Sequence, residues 1–250
     1  MRTFDELVAE AQSADASGWG FDWLDWRATE ERPPWGYATL LARRLSTATA
    51  ALDIDTGGGE VIDEAPVLPA RMAVTESYAP NVAIARHRLG PRGVDVVEAD
   101  PHRLPFANGS FDLVSSRHPV TPVWSEISRV LVPGGTYLAQ HVGPESAFDL
   151  IEFFLGPLPE NRKARDPEAE SSAAEAAGLT VDSLRTARCR MEFYDVGAIV
   201  WILRKCPWWV PDFTVESYEP QLRELDARMR RGDPFVAYST RHLIVASKRG

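Results

Sequence analysis

Residues Ala51–Glu60 read ALDIDTGGGE. A short apolar run carrying two acids leads through Thr56 into three successive glycines. In an open parallel sheet, ligands bind beyond the carboxyl ends of the strands, and the turn after the first strand faces that crevice. Glycines in such a turn let backbone approach a ligand with no Cβ in the way. The helix that follows presents an N-terminus that favours an anionic group. The stretch therefore predicts the first core strand and a ligand-facing turn.

On its C-terminal side, short apolar runs alternate with helical stretches. ARMAVTE is a second strand-like run, followed by a helical NVAIARHRL. VDVVEAD is a third. SFDLVSSRH is a fourth, followed by a helical VWSEISRVL, and TYLAQHV after PGG is a fifth. This alternation argues for a parallel sheet covered by helices on both faces. Farther on, ESAFDLIEFFLG reads as a helix and NRKARDPEAESS as a polar linker. SSAAEAAGL reads as a helix closed at Gly178, and TVDSLRTARCRMEFYDV as a long strand. Two helical stretches then precede a final strand, PFVAYSTRHLIVASK. On the N-terminal side, Thr3-Phe4-Asp5-Glu6 has the spacing of a capping box, and a second helix is expected from Tyr37 to about Ser46.

The glycine turn excludes some ligands. A nucleoside triphosphate site wants GxxxxGK[ST], and no such Lys follows. A dinucleotide site wants GxGxxG; Gly57 and Gly59 supply two glycines, but position 62 is Ile. Two further acids stand where a nucleoside would meet them. Glu76 ends the second run, where a carboxylate can accept from ribose hydroxyls. Asp100 ends the third, where an acid can accept from an adenine amino group.

The order and spacing of ALDIDTGGGE, VTESYAPNVAIARHRL, EADPHRLPFANGSFDLV and RVLVPGGTYLAQHV resemble the class I S-adenosylmethionine-dependent methyltransferases over roughly residues 50–142. The resemblance implies an α/β fold, a Rossmann-like seven-stranded, mostly parallel sheet whose last strand is antiparallel. It adds an N-terminal helical segment and a helical insertion before the last strand. The division expected is a helical cap over 1–46, a cofactor-binding core over 47–195, an insertion over 196–234 contributing to the cap, and the last core strand over 235–250. The cofactor implied is S-adenosylmethionine, with S-adenosylhomocysteine as product. Carried over by position, Asp53 stands near the methionine ammonium, and Thr56, Gly57, Gly58 and Gly59 near the methionine and ribose. Glu76 with Ser77 meets the ribose, and Asp100 the adenine. Two positions depart from the family. Asp55 stands where its first glycine falls. Pro101 follows the adenine acid and has no N–H, so the donor passes to His102 or Arg103.

Methyl transfer from a sulfonium is a direct displacement that rests on positioning and on a base where the acceptor needs one. His118 and His141 follow the fourth and fifth strands and are the candidate bases. Arg117 is a candidate contact for the methionine carboxylate or a substrate acid. Trp19, Trp23, Trp35 and Tyr37 before the core, and Trp201 after it, are candidates for an apolar acceptor pocket. The alternative for these residues is a cap core of their own.

Bulk properties narrow the partners. The net charge of −9 argues against a general grip on nucleic acid. Cys189 and Cys206 form no CxxC pair, and no metal site is read. No apolar run of about 18 residues suggests a membrane span, and MRTFDELVAE lacks a signal-peptide pattern. The expectation is a cytoplasmic methyltransferase acting on an O or N atom of a small molecule, aromatic or apolar acceptors included. An RNA-base methyltransferase and a non-catalytic binding protein of the same fold are the alternatives.

Overall fold

The computed structural model describes residues 2–18 and 20–250. Its chain divides into two compact units that interleave in sequence. One comprises residues 1–32, 145–164 and 188–240; the other comprises 33–144, 165–187 and 241–250. Trp19 lies outside the described residues.

The strands are β1 (Ala28–Glu30), β2 (Ala50–Ile54), β3 (Arg71–Glu76), β4 (Asp95–Glu98), β5 (Phe111–Arg117), β6 (Leu131–Val142), β7 (Leu179–Phe193) and β8 (Phe235–Lys248). They form one sheet in the order β1-β7-β8-β6-β5-β2-β3-β4. β2 is parallel to both β3 and β5, β3 to β4 and β5 to β6. β8 runs antiparallel to β6, setting His141 opposite His242.

The second unit contains β2–β6 and the parts of β7 and β8 that fall within it. These are the seven strands expected from the sequence, with the antiparallel member where it was expected. The eighth strand, β1, pairs antiparallel with Met191–Phe193 of β7. Three residues carry no alternation of their own to announce it, and the partner alone defines the strand.

Strand β2 is buried from Ala51 to Ile54, as a central parallel strand covered on both faces must be. One cluster, including Leu52, Phe111, Val114, Leu131, Tyr137 and Ile244, fills one side of this sheet. Another, including Leu41, Leu45, Ile62, Met72, Leu89 and Leu138, fills the other. The helices of this unit are α2 (Tyr37–Leu45), α3 (Glu60–Asp63), α4 (Ala79–Leu89), α5 (Trp124–Val130) and α7 (Pro167–Ala176), while α1 (Phe4–Ser13), α6 (Phe148–Leu155), α8 (Val196–Lys205) and α9 (Glu219–Met229) belong to the first unit.

The Thr3 capping box of α1 is present in full. Helix α7 corrects the linker reading of NRKARDPEAESS. Asp166 caps its first turn by accepting from the Glu168 N–H, and Pro167 takes the first helical position, where its missing N–H costs nothing.

The first unit has its own core around α8, in which Trp201 is fully buried. Trp23 stacks on Trp201 with centroids 5.5 Å apart, and the Trp201 indole N–H donates to the Asp15 carbonyl at 3.1 Å. No helix is long and apolar enough to cross a membrane among the described residues.

Candidate active site

The loop after β2 is built around one buried carboxylate. Glu76 ends β3 and is 7% exposed. Its Oε2 accepts from the Gly57 N–H at 2.9 Å and from the Asn81 amide at 3.5 Å. Its Oε1 accepts from the Ser77 and Tyr78 N–H groups, both at 2.9 Å. The Glu76 side chain thus ties the glycine turn to the start of α4. Gly57 and Gly59 take φ values of +63° and +82°, a region that L side chains avoid. The Gly59 N–H donates to the Thr56 carbonyl at 3.1 Å. Arg88 of α4 donates to the Gly58 carbonyl and to the Glu60 carboxylate.

Asp55 adopts φ +56°. Aspartate is among the few residues that tolerate this conformation, which is how it stands where the family places a glycine. Burial, then the nearby charges of Glu76 and Asp100, push its carboxyl up to about 6. Asp53 lies within β2, 5% exposed, and accepts from the Ser115 hydroxyl at 2.5 Å. Burial is the main reason that its carboxyl also rises to about 6, with the Ser115 bond opposing and Asp55 adding to the rise.

At the adenine position the turn is closed on itself. Asp100 Oδ1 accepts from the His102 N–H at 2.8 Å and meets its ring Nδ1 at 2.9 Å. The His102 N–H bond is the main cause that lowers the Asp100 carboxyl. The Arg103 N–H donates to the Asp100 carbonyl at 3.0 Å. Neither backbone donor expected to replace the missing N–H of Pro101 is therefore free; the turn that follows a proline here consumes both. The second Asp100 oxygen makes none of these bonds.

A small cleft opens at the carboxyl ends of β2 and β5. Ile54, Asp55, Pro101, Ser116, Pro119, Thr121, Pro122, Val123, Ile127 and Tyr137 line it. Arg117 and His118 fall within this lining segment in sequence. His118 takes φ +60° and is pinned to Gln140 twice. Its N–H donates to the Gln140 carbonyl at 2.7 Å, and its Nε2 meets the Gln140 side-chain nitrogen at 2.9 Å.

His141 does not fit the expectation of a base presented to an acceptor. It is 2% exposed, with both ring nitrogens engaged. Nδ1 meets Glu170 Oε2 at 2.5 Å and Nε2 meets the Tyr137 hydroxyl at 3.1 Å. The same Glu170 oxygen meets His242 Nε2 at 2.8 Å. Burial raises the Glu170 carboxyl, but the bonds from the two imidazoles outweigh it and take it to about 2. Burial lowers His141 against the opposing pull of Glu170. Glu170 sits on α7 and escaped the sequence reading because its stretch was read as linker.

The residues expected to form one aromatic pocket are divided. Trp35 is 7% exposed and donates to Gln140 Oε1 at 2.7 Å. Tyr37, 6% exposed, donates to the Ser116 carbonyl at 3.0 Å. Both brace the second unit's sheet, while Trp23 and Trp201 fill the core of the first unit. None of the four lines the cleft. The apolar surface that does line it comes from Ile54, Tyr137 and several prolines and aliphatic residues, most of them after β5, in a run whose one aromatic residue is Trp124.

A family model described as a methyltransferase domain matches residues 52–139. A demethylmenaquinone methyltransferase from Thermus thermophilus is 31% identical over 164 residues, covering 52% of this chain and 74% of that protein. The chain belongs to the S-adenosylmethionine-dependent methyltransferases. The fold agrees with solved structures. A candidate methyltransferase from Bacillus halodurans C-125 superposes with a TM-score of 0.61 at 18% identity, over 85% of this chain and 99% of that one. Phosphoethanolamine N-methyltransferase 2 from Haemonchus contortus, in complex with S-adenosylmethionine, gives 0.52 at 17% identity over 86% of this chain and 53% of that one.

The methyltransferase cofactor carries a sulfonium and an ammonium. A buried carboxylate, Asp53, and a half-buried one, Asp55, both pushed up by burial and by neighbouring acids, are a fitting environment for such cations. The buried Asn81 carbonyl oxygen, without a hydrogen-bond partner among the described residues, adds a polar atom beside the glycine turn.

Proposed function

We propose that this methyltransferase acts on an oxygen or nitrogen atom of a small organic acceptor. The observation that carries the reading is the cleft beside Asp55, which is narrow and lined mainly by Pro, Val, Ile and Tyr. Sites for small molecules are concave and mostly apolar, with a few polar groups to fix orientation. The Thermus relative, whose name gives demethylmenaquinone as its methyl acceptor, is consistent with a small organic acceptor.

When bound, S-adenosylmethionine supplies an electrophilic methyl group on sulfur. The chain's contribution is to hold and orient. Asp53 and Asp55 supply negative charge for the ammonium and sulfonium. The glycines let backbone approach the methionine and ribose, and Glu76 keeps the turn shaped for the ribose. Asp100 offers its remaining oxygen to the adenine amino group. Arg117 and His118, between the lining residues Ser116 and Pro119 in sequence, are the candidate contacts for the acceptor. Alignment of the two reactants is worth up to roughly 7–11 kcal/mol of barrier, so no strong base is required for an acceptor that is already nucleophilic.

The test is calorimetric titration with S-adenosylmethionine and S-adenosylhomocysteine. Methyl transfer from radiolabelled cofactor to panels of phenols, carboxylates and amines follows, with total RNA alongside. Micromolar binding and transfer to a member of the small-molecule panels is the expected result. Transfer to RNA alone refutes the reading.

A further inference from the structure

The hydrogen bonds around His118 settle which of its nitrogens carries a proton. An indole N–H can only donate, so the Trp35 bond at 2.7 Å identifies the Gln140 atom it meets as the carbonyl oxygen. The other Gln140 side-chain atom is then the NH₂ group, a donor. It faces His118 Nε2 at 2.9 Å, so Nε2 must be the acceptor and carries no proton. A neutral imidazole with a bare Nε2 has its proton on Nδ1. Turning the Gln140 amide over would set NH₂ against the indole N–H, both donors, inside a core where Trp35 and Gln140 are 7% and 4% exposed. That leaves two buried polar groups unpaired, at about 1–3 kcal/mol each.

His118 Nδ1 makes no hydrogen bond to the described residues and is not among the buried atoms that lack one, so it is open to a ligand. Burial, followed by the positive charges of Arg241, Arg117 and Arg165 with His141 among them, keeps the ring neutral well below the usual histidine range. The Arg117 charge also acts on the buried Asp53 carboxylate, while the His118 ring senses Arg241, Arg117 and Arg165 and no acid. A donor N–H in a field of arginines favours a negatively charged oxygen. The left-handed backbone at His118, stabilised by its N–H bond to Gln140, is the kind of strain found at functional positions.

We propose that His118 is a fixed neutral donor whose Nδ1–H receives an anionic oxygen, carboxylate or phenolate, of the methyl-accepting molecule, with Trp35 and Gln140 as the residues that set its tautomer. In this arrangement His118 binds and aims the acceptor and does not take its proton. The tautomer stands on the hydrogen-bond geometry alone; the role toward the acceptor rests on the proposed function.

The experiment is long-range ¹H–¹⁵N correlation spectroscopy of the full chain, followed by titration with benzoate. At pH 7 the wild type is expected to carry its His118 proton on Nδ1, and benzoate to shift that resonance saturably. Gln140→Glu presents only acceptor oxygens, so the His118 proton moves to Nε2 and benzoate binds about tenfold more weakly, the loss of one hydrogen bond to a charged group. Trp35→Phe removes the constraint on the amide and gives a mixture of tautomers, which provides the comparison if Gln140→Glu does not fold. A wild-type proton on Nε2, or an imidazolium at pH 7, overturns the tautomer assignment. A proton on Nδ1 with no response to benzoate overturns the anion-binding role. Titration with S-adenosylmethionine separates these outcomes from a failure of the methyltransferase reading, because that titration does not depend on the His118 tautomer.

Discussion

Adjacent glycines in the TGGGE turn are expected to differ sharply when each is replaced by alanine. Gly59 sits at φ +82°, and a Cβ there would lie 2.6 Å from Leu89 Cδ1 and 2.9 Å from its Cγ. The left-handed conformation costs a side chain about 1–2 kcal/mol. Leu89 is fully buried among Met72, Val74 and Val94, so making room for the new methyl adds about 1–3 kcal/mol of overpacking. Gly59→Ala should therefore lose about 2–5 kcal/mol. A Cβ on Gly58 meets instead the end of the Glu60 carboxylate and the Arg88 guanidinium, the latter at 2.8 Å. Those side chains are 51% and 31% exposed and can swing away. Gly58→Ala should cost less than about 1 kcal/mol, part of it offset by the lower entropy of the unfolded chain. Urea denaturation followed by circular dichroism reads both as shifts in midpoint at constant slope. If Gly59→Ala lies within about 1 kcal/mol of Gly58→Ala, the turn does not have the rigidity argued for it.

Asp53 and Asp55 should make cofactor binding depend on pH. Both carboxyls are held up to about 6, and a cation favours their charged forms. S-adenosylmethionine should bind several-fold more tightly at pH 7.5 than at pH 5 and release protons in the acidic range. Calorimetry in buffers of different ionisation enthalpy measures that release, and a flat profile contradicts it. For stability the sign is the opposite. The folded Asp53 carboxyl titrates above its unfolded value of 3.8, so its contribution falls as pH rises from about 4 to 6 and is constant above. Asp53→Asn should flatten that slope in urea melts across the range. Glu170→Gln should destabilise at neutral pH by on the order of 1–3 kcal/mol, because the carboxylate is bonded to two buried imidazoles, bonds that depress the folded carboxyl to about 2. That contribution is present above about 4.5 and lost as pH falls toward 2, so the gap between variant and wild type should close in acid melts. Trp201→Ala should cost about 3–5 kcal/mol, read in the same assay, since the ring is 2% exposed and stacked on Trp23.

The core strands were legible because central parallel strands are short apolar runs between breakers. AALDI, RMAVTE and FDLVSSR all pair as the alternation implied. The acids at their ends were legible for the same reason, since the end of a run marks the crevice. What each acid touches was not. Glu76 was assigned to a ribose, yet its oxygens already accept three backbone N–H groups and an amide, bonds that no one-dimensional spacing encodes. A Glu76→Ala variant would therefore disturb the turn as well as any ribose contact. Trp35 and Tyr37 are expected in a pocket from their aromatic character and their place before the first core strand. Their polar atoms are turned inward to Gln140 and Ser116, partners about 80 to 105 residues away in sequence. The α7 start was legible in Asp166-Pro167, an N-cap followed by proline, and was obscured by the charge of the residues around it.

Asp55 joins the two halves of the site's logic. The backbone at this position takes a φ of +56°, which aspartate adopts at a smaller cost than any β-branched or bulky residue would incur. What the side chain adds is charge, in a place where Glu76 and Asp100 already repel it. Burial and that repulsion push the Asp55 carboxyl up to about 6. A sulfonium or ammonium nearby reverses that rise, because each carboxylate then gains an opposite charge that outweighs the repulsion of its neighbours. The departure from glycine thus exchanges conformational ease for a cation-dependent attraction. The same exchange ties cofactor affinity to pH, and Asp55→Gly should weaken the pH dependence of binding without removing the binding itself. Calorimetric titration of that variant at pH 5 and 7.5 decides the matter: a variant as pH-dependent as wild type would assign the effect to Asp53 alone.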